Sequence, residues 1–113
     1  KPEVIFRASI YRPSKKETDS NPLETASMSI IDTNLLDEGK LLWVAISRNL
    51  HKRYGGKYDF GDKIILDNCG KFSNKTYIVK DLMAEQWLNK IDILISKNDT
   101  INYFFKNIKI KKL

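Results

Sequence analysis

Residues 91–95 read Ile-Asp-Ile-Leu-Ile (IDILI), and this stretch decides the fold class of the chain. It is short and rich in β-branched residues, which is typical of a β-strand rather than a helix. Successive side chains of a strand point to opposite faces, so the three isoleucines share one face while Asp92 and Leu94 share the other. The sequence therefore predicts a strand with one wholly apolar face and one face that carries a carboxyl group.

Similar short runs occur along the rest of the chain. Further strands are predicted at residues 4–11, 24–31, 41–46, 63–66, 76–80 and 103–112. Short helices are predicted over residues 47–54, where Ser47 can cap the first turn and Gly55 can end the helix, and over residues 83–88. Polar stretches rich in turn residues predict loops at 12–22, 32–40 and 67–74. Six or seven short strands with one or two short helices favour a small closed β-barrel over a layered α/β sheet.

The length and charge of the chain limit its organisation and its partners. A chain of 113 residues builds one hydrophobic core, and it contains no repeat or linker, so we predict a single domain over residues 1–113. The net charge of +6 predicts attraction to polyanions, or simply a well-solvated surface. The lysines are scattered and the aromatic residues do not interleave with them, so nucleic acid is not an expected partner. The sequence leaves the oligomeric state open.

Several kinds of site are excluded by composition. Cys69 is the only cysteine and His51 the only histidine, so an internal disulfide and a cysteine-based zinc cluster are impossible. There is no glycine-rich phosphate loop, and we predict no metal and no cofactor. No apolar run approaches the ~18 residues that span a bilayer, so no transmembrane segment is expected. We expect His51 to be exposed, and a reactive thiol at Cys69 is a weaker alternative.

Two aspartates are the strongest candidates for chemistry. Asp92 lies inside an apolar strand, where loss of hydration would raise its pKa and let it act as a general acid near neutral pH. The alternative is an Asp92 that simply faces solvent. Asp81 follows the strand at residues 76–80, and its alternative role is to cap a helix. The spacing of Asp81 and Asp92 allows the two carboxyl groups to meet on one face of a barrel.

The two tryptophans are candidates for stacking on a sugar ring. Trp43 lies in the apolar run at residues 41–46 and is better explained as a core residue. Trp87 is close to Asn89 and Lys90, which favours a position at the rim of a groove, although a core position is equally compatible with the sequence.

The order of these segments resembles a known bacterial family. The matching stretches are TAS (25–27), LLWVAISRNL (41–50), YGGKYDFGDKIIL (54–66), TYIVKDLM (76–83) and WLNKIDILI (87–95). Over residues 20–113 the chain is similar to the 3D (three-aspartate) domain, which also forms the catalytic part of membrane-bound lytic transglycosylase A. It most resembles the short stand-alone 3D-domain proteins of Bacteroidetes-type bacteria, with residues 1–19 as a strand and loop extension. The resemblance implies a mainly β fold, a small six-stranded double-psi β-barrel.

The resemblance also implies roles for particular residues. Asp92 matches the family's third aspartate, the proposed catalytic acid/base, and Asp81 matches the second. Thr25 matches a threonine on the opposite wall of the groove, and Ser47 stands where the first aspartate normally lies. A further departure is Leu82, where the family has threonine. The residues at 83–85 (MAE) replace a glycine-rich stretch of the family.

The function implied is action on peptidoglycan. The partners are glycan strands, and the location is the cell envelope, the periplasm or outside the cell. Asp92 and Asp81 are the expected catalytic residues. The expected substrate-binding residues are Thr25, Ser47, Trp87, Asn89 and Lys90. Because the departures from the family pattern affect the site, a non-catalytic glycan-binding domain, or a structural barrel of an envelope or phage assembly, is the alternative.

Overall fold

The computed structural model describes residues 6–13 and 23–113, which form six strands, one short α-helix and three single turns of 3-10 helix. The strands are β1 (Phe6–Tyr11), β2 (Trp43–Ile46), β3 (Lys63–Asp67), β4 (Thr76–Leu82), β5 (Lys90–Leu94) and β6 (Phe105–Lys112). The helix α1 is Thr33–Asp37, and the 3-10 turns are Arg48–Leu50, Lys52–Tyr54 and Gly70–Phe72. Within these described ranges, no helix has the length and apolar character needed to cross a bilayer. The predicted strand start at residues 4–5 and most of the loop predicted at 12–22 lie outside the described residues.

The six strands close into a barrel in the order β1-β5-β2-β4-β3-β6, and β6 pairs with β1. The β1–β5 and β2–β4 pairs are parallel, and the other four pairs are antiparallel. Both parallel pairs join strands that are not consecutive in the sequence. The predicted small, mainly β, six-stranded barrel is confirmed, with one short helix and 3-10 turns as its helical content.

The inside of the barrel is filled mainly by branched aliphatic side chains, with Phe6 and Ala8 contributed by β1. Ile91 and Ile93 of β5 are 0% and 1% exposed, whereas Asp92 between them is only half-buried and faces outward. The separation of faces predicted for residues 91–95 is therefore correct. Their closest companions inside the barrel are Val44, Ile46, Ile64, Leu66, Val79 and Ile108, all fully buried. Each such side chain contributes about 1.5–3 kcal/mol when it is removed from water.

A second apolar cluster covers the outer face of four adjacent strands, β1, β5, β2 and β4. Its buried members are Tyr11, Ile31, Leu36, Ala45, Met83 and Leu94. Trp43, Trp87 and Leu41 pack against them and are only partly buried. Helix α1 contributes Leu36 to this cluster, so the helix and the loop before it cover this wall of the barrel. Trp43 thus packs outside the barrel rather than in its interior.

The segment before β2 differs from its prediction. Residues 24–31 form no strand but a tight loop, closed by a single bridge between Glu24 and Ile30, with Met28 at a φ of 65°. Part of the stretch predicted as a turn region, residues 32–40, is helix α1. The helix begins there because the Asp32 carboxylate accepts the N–H groups of Asn34 and Leu35 at 3.0 and 3.1 Å, which caps its first turn.

Neither predicted helix forms as an α-helix. Residues 47–54 make two 3-10 turns separated by His51, whose backbone is extended. The chain then turns so tightly that a Cβ on Gly56 would lie 2.1 Å from the Leu50 carbonyl carbon, which only glycine permits. Residues 83–88 contain a turn but no helix. Both segments are held by contacts to distant strands, which local helix propensity does not report.

One ion pair fixes the end of the last strand. The Asp62 carboxylate lies 3.2 Å from the Lys112 ammonium and accepts the Asp59 N–H at 2.8 Å. Partial burial opposes ionisation of Asp62, but these two partners outweigh it and lower the pKa of the carboxyl group. The Asp62 carboxylate therefore stabilises the folded state.

We expect this stabilisation to be present above the unfolded-state pKa of about 4 and to be lost as the pH falls through the lower folded-state pKa. Asp62→Asn should reduce the free energy of unfolding at pH 7, and the difference from the native protein should shrink toward pH 2. Urea denaturation at both pH values measures this. Glu85→Gln, an exposed turn position, is the control. A difference that is the same at both pH values would contradict the role given to Asp62.

Candidate functional site

The barrel brings both predicted catalytic aspartates to one face. Ser9 on β1 pairs with Asp92 on β5, Asp92 pairs with Ala45 on β2, and Ala45 pairs with Asp81 on β4. We call these four residues the acid row. Neighbouring strands lie about 4.8 Å apart, so the two acidic Cα atoms are about 10 Å apart, with Ala45 between them in the sheet. The row crosses the outer wall of the barrel, under the second apolar cluster.

A β-bulge in β4 gives Asp81 its direction. The register runs from Val44 opposite Val79 to Ala45 opposite Asp81, so Lys80 is an extra residue. Strict alternation would put Asp81 on the same face as Tyr77 and Val79, which are buried. The extra residue turns Asp81 to the outer face instead. Without the bulge this carboxylate would point into the apolar interior.

Asp92 has a hydroxyl partner within the acid row. The Ser9 Oγ donates a hydrogen bond to Asp92 Oδ1, and both side chains are half-buried. A hydroxyl group both donates and accepts, so Ser9 can partner Asp92 in its charged and in its protonated form. This contact therefore tolerates a change of protonation at Asp92.

Asp81 is held by main-chain donors. Its Oδ1 accepts the Ala26 N–H at 2.7 Å and the Leu82 N–H at 2.9 Å. Such bonds from N–H groups to a carboxylate are strong and directional. Asp81 is thereby fixed in orientation, and the loop at residues 24–30 is joined to the end of β4.

Thr25 supports this loop from within. It is buried, its Oγ1 lies 2.9 Å from the Ser27 Oγ, and it accepts the Ser29 N–H at 3.3 Å. The Ser27 N–H in turn donates to the Lys80 carbonyl oxygen in the bulge at 3.2 Å. Thr25 is therefore one residue away from the contact with Asp81, and its hydroxyl is used inside the loop.

Tyr11 is a site residue that the sequence did not reveal. Its side chain starts on β1 and crosses over β5 and β2, so that its hydroxyl reaches Asp81 Oδ2 on β4 at 3.4 Å. Burial, with added repulsion from Asp81 and Asp92, raises the pKa of Tyr11 well above its usual value. The phenol is thus a neutral donor between the two acids. The only sequence signal was that Tyr11 and Ser9 share one face of β1.

Ser47 belongs to a polar network beside the row. It is fully buried, its Oγ donates to Asn49 Oδ1 at 2.8 Å, and it accepts the Lys90 N–H at 3.1 Å. The Asn49 side-chain amide donates to Asn89 Oδ1 at 2.9 Å. Asn89 is exposed, with a left-handed φ of 49°. This network ties the end of β2 to the start of β5.

Lys90 and Trp87 form a stacked pair on the same face, at the end where β5 begins. The Lys90 ammonium lies 3.8 Å from the centroid of the Trp87 ring, a close cation–π contact. Lys90 is 7% exposed and Trp87 is half-buried. Lys90 precedes Asp92 by two residues on β5, so their side chains leave the strand on the same face. All the predicted site residues thus lie on or beside one wall of the barrel.

His51 and Cys69 are each held in local packing. The prediction that His51 is exposed is wrong: it is 4% exposed, packs against Phe60 with the two rings tilted, and accepts the Arg53 N–H at Nδ1 at 3.0 Å. Its Nε2 lies 3.4 Å from Asp59 Oδ1 without hydrogen-bond geometry. Cys69 is fully buried, and burial raises the pKa of its thiol to about 11, which removes the reactive-thiol alternative.

Across residues 6–13 and 23–113, no group of three or more histidine, cysteine, aspartate or glutamate side chains is placed to hold a metal ion. No protein-family model, curated protein or solved structure matches this chain. The resemblance to the 3D domain therefore stays a prediction.

The hydrogen bonds of Asp81 predict a difference between two substitutions. Asp81→Ala removes the charged acceptor of the Ala26 and Leu82 N–H groups, so we expect a loss of about 1.5–3 kcal/mol in the free energy of unfolding. Asp81→Asn keeps an oxygen acceptor in the same place, and its loss should stay below about 1 kcal/mol. Urea denaturation measures both. Equal losses would show that these two N–H bonds do not hold the loop.

The buried thiol gives a second prediction. At pH 8 the native protein should react with iodoacetamide at Cys69 on the order of 100-fold more slowly than the urea-unfolded chain, because the raised pKa and burial suppress the thiolate. Mass spectrometry of samples quenched over time measures both rates. A native rate close to the unfolded rate would mean that Cys69 is accessible.

Proposed function

We propose that this protein acts on the glycan strand of bacterial peptidoglycan and cleaves it as a lytic transglycosylase does, with Asp92 as the acid/base. The observation that carries the proposal is the acid row, in which two aspartates flank a small residue on one outer face of the barrel. Aspartates in the middle and at the end of apolar strands are costly to place. Their convergence at one place favours a chemical role over a structural one.

The partners of the two acids support different roles. Asp81 accepts two main-chain N–H groups, which favour and orient its carboxylate form. Asp92 accepts a hydrogen bond from the Ser9 hydroxyl, a contact that suits a group that gains and loses a proton. Asp92 is therefore assigned as the acid/base and Asp81 as a fixed carboxylate that orients the sugar.

The chemistry requires one carboxyl group. Protonated Asp92 gives its proton to the glycosidic oxygen between N-acetylmuramic acid and N-acetylglucosamine, and the bond from that oxygen to the anomeric carbon breaks. The muramoyl 6-hydroxyl oxygen bonds to the anomeric carbon, and the Asp92 carboxylate takes its proton. The product is a 1,6-anhydro sugar, and Asp92 returns to its protonated form. Water is not consumed, so the spacing of two carboxylates in ordinary glycosidases is not required.

The remaining predicted substrate-binding residues surround this centre. Trp87 and Lys90 lie two to five residues before Asp92, and Asn89 is exposed beside them. Thr25 and Ser47 are buried, so their part is to hold the loop and the strand ends that shape the site. The glycan would accordingly contact Trp87, Asn89 and Lys90 directly.

A glycan-binding domain without cleavage is the second candidate, and Tyr11 is the observation that favours it. Its buried ring crosses the face between the two acids and bonds to Asp81. A ring in that position restricts how closely a sugar approaches both carboxyl groups at once. Binding at the rim would persist under this restriction, whereas cleavage requires contact with Asp92. A structural barrel of an envelope or phage assembly would need neither binding nor cleavage.

The decisive experiment is digestion of purified sacculi, with the products separated by liquid chromatography and identified by mass spectrometry. We expect anhydro-muropeptides from the native protein, and a fall of at least about 100-fold in their rate of formation with Asp92→Asn, because acid/base catalysis is lost. Asp67→Asn, an exposed strand aspartate on β3, is the matched control and should leave the rate unchanged.

Two other outcomes have distinct meanings. Retention of the protein on sacculi without anhydro products would contradict cleavage and favour the binding domain. A folded protein, shown by a cooperative thermal transition, that is not retained on sacculi and releases no anhydro products would contradict both candidates. The structural barrel would then be the remaining explanation.

A further inference from the structure

Two basic residues stand side by side on the same face as the acid row. Arg7 on β1 pairs with Lys90 on β5, directly next to the Ser9–Asp92 pair in the same register. We call Arg7 and Lys90 the basic pair. Like charges opposite one another on adjacent strands destabilise a sheet. A negatively charged partner would offset the repulsion between Arg7 and Lys90.

Neither member of the pair has a carboxylate partner among the described residues. The Lys90 ammonium contacts the Trp87 ring, and the Arg7 guanidinium makes a long bond of 3.5 Å to the Leu88 carbonyl oxygen. In the same part of the chain, the one fully buried side-chain atom without a hydrogen-bond partner is His51 Nε2, so the Lys90 ammonium keeps contact with solvent. Only 7% of Lys90 is exposed, and no counter-charge among the described residues accompanies its ammonium, so an anionic ligand group would be a favourable partner.

The chemistry of this place fits a carboxylate attached to a sugar. An ammonium and a guanidinium together match the two oxygens of a carboxylate. Asp92 is two residues along β5 from Lys90, about 7 Å away at the Cα atoms, which is comparable with the width of a sugar ring. The half-buried Trp87 ring offers an apolar surface beside Lys90.

We propose that the basic pair and Trp87 form a subsite for a sugar that bears a free carboxylate, next to the bond that Asp92 attacks. This inference rests on the proposed function and makes its substrate more specific. In peptidoglycan the lactyl carboxyl group of muramic acid is uncharged while it is amide-linked to a stem peptide. The preferred substrate is therefore glycan from which the peptides have been removed, and an amide-hydrolysing reaction must act first. Uronic acids of other wall polysaccharides carry the same group and are the other source.

The test measures glycan binding by isothermal titration calorimetry, with the full chain carrying Asp92→Asn so that cleavage does not interfere. The ligands are a peptide-free peptidoglycan oligomer, the same oligomer with its carboxylates converted to methylamides, and an oligomer of galacturonic acid. We expect the free-carboxylate peptidoglycan oligomer to bind at least about tenfold more tightly than its amide, because an ion-paired hydrogen bond is lost.

Substitutions assign that preference to the pair. Lys90→Met keeps the apolar stem against Trp87 and should abolish the preference, whereas Lys90→Arg should retain it. Arg7→Gln alters an exposed side chain and should reduce the preference, which keeps the test decisive if Lys90→Met does not fold. Lys111→Met, on the outer face of β6, is the control and should change nothing.

The outcomes separate this inference from the proposed function. Equal affinity for the acid and the amide would overturn the carboxylate subsite while glycan binding stands. Tighter binding of the galacturonic oligomer, lost in Lys90→Met, would support the subsite and assign its source to uronic acids. The absence of binding to all three ligands would overturn the subsite and the proposed function together.

Discussion

The arrangement of the site depends on one constraint, the register that sets Asp92 and Asp81 on either side of Ala45. The antiparallel pairing of β5 with β2 fixes one neighbour, and the parallel pairing of β4 with β2 fixes the other. The second pairing gives this result only because Lys80 is inserted as a bulge. Had β4 continued with strict alternation, Asp81 would enter the apolar interior, where an ionised carboxylate is not tolerated.

The parts around this row act together to keep it in place. The loop at residues 24–30 bonds to the bulge through Ser27 and to Asp81 through Ala26, while Tyr11 reaches across from the far side. Ile31 and Leu36 then cover the same wall with apolar surface. Asp81 and Asp92 are both half-buried on this wall, and partial loss of hydration is an environment in which carboxyl groups serve as general acids or bases. The basic pair, beside the start of β5, adds positive charge for which a neutral glycan offers no partner.

Sequence reasoning reached the fold and the face of Asp92 because both depend on local pattern. The alternation within residues 91–95 and the spacing of short apolar runs were enough to predict a small β-barrel and to place Asp92 on the face opposite the three isoleucines. The bulge at Lys80 and the reach of Tyr11 depend on which distant strand lies alongside, and no local pattern encodes that choice.

For the same reason residues 47–54 were predicted as a helix, although Ser47 bonds across to Lys90 instead of capping one. Capping by Asp32 was a local signal, and it could have revealed α1.

The central claim is that both acids flank Ala45 on the outer wall, and nuclear Overhauser contacts of the Ala45 methyl group test it most directly. In uniformly labelled protein, this methyl group should show contacts to the β-protons of Asp81, to those of Asp92 and to the ring protons of Tyr11. Contacts from the Asp81 β-protons to the Val79 methyl groups inside the barrel, with none to Ala45, would contradict the account.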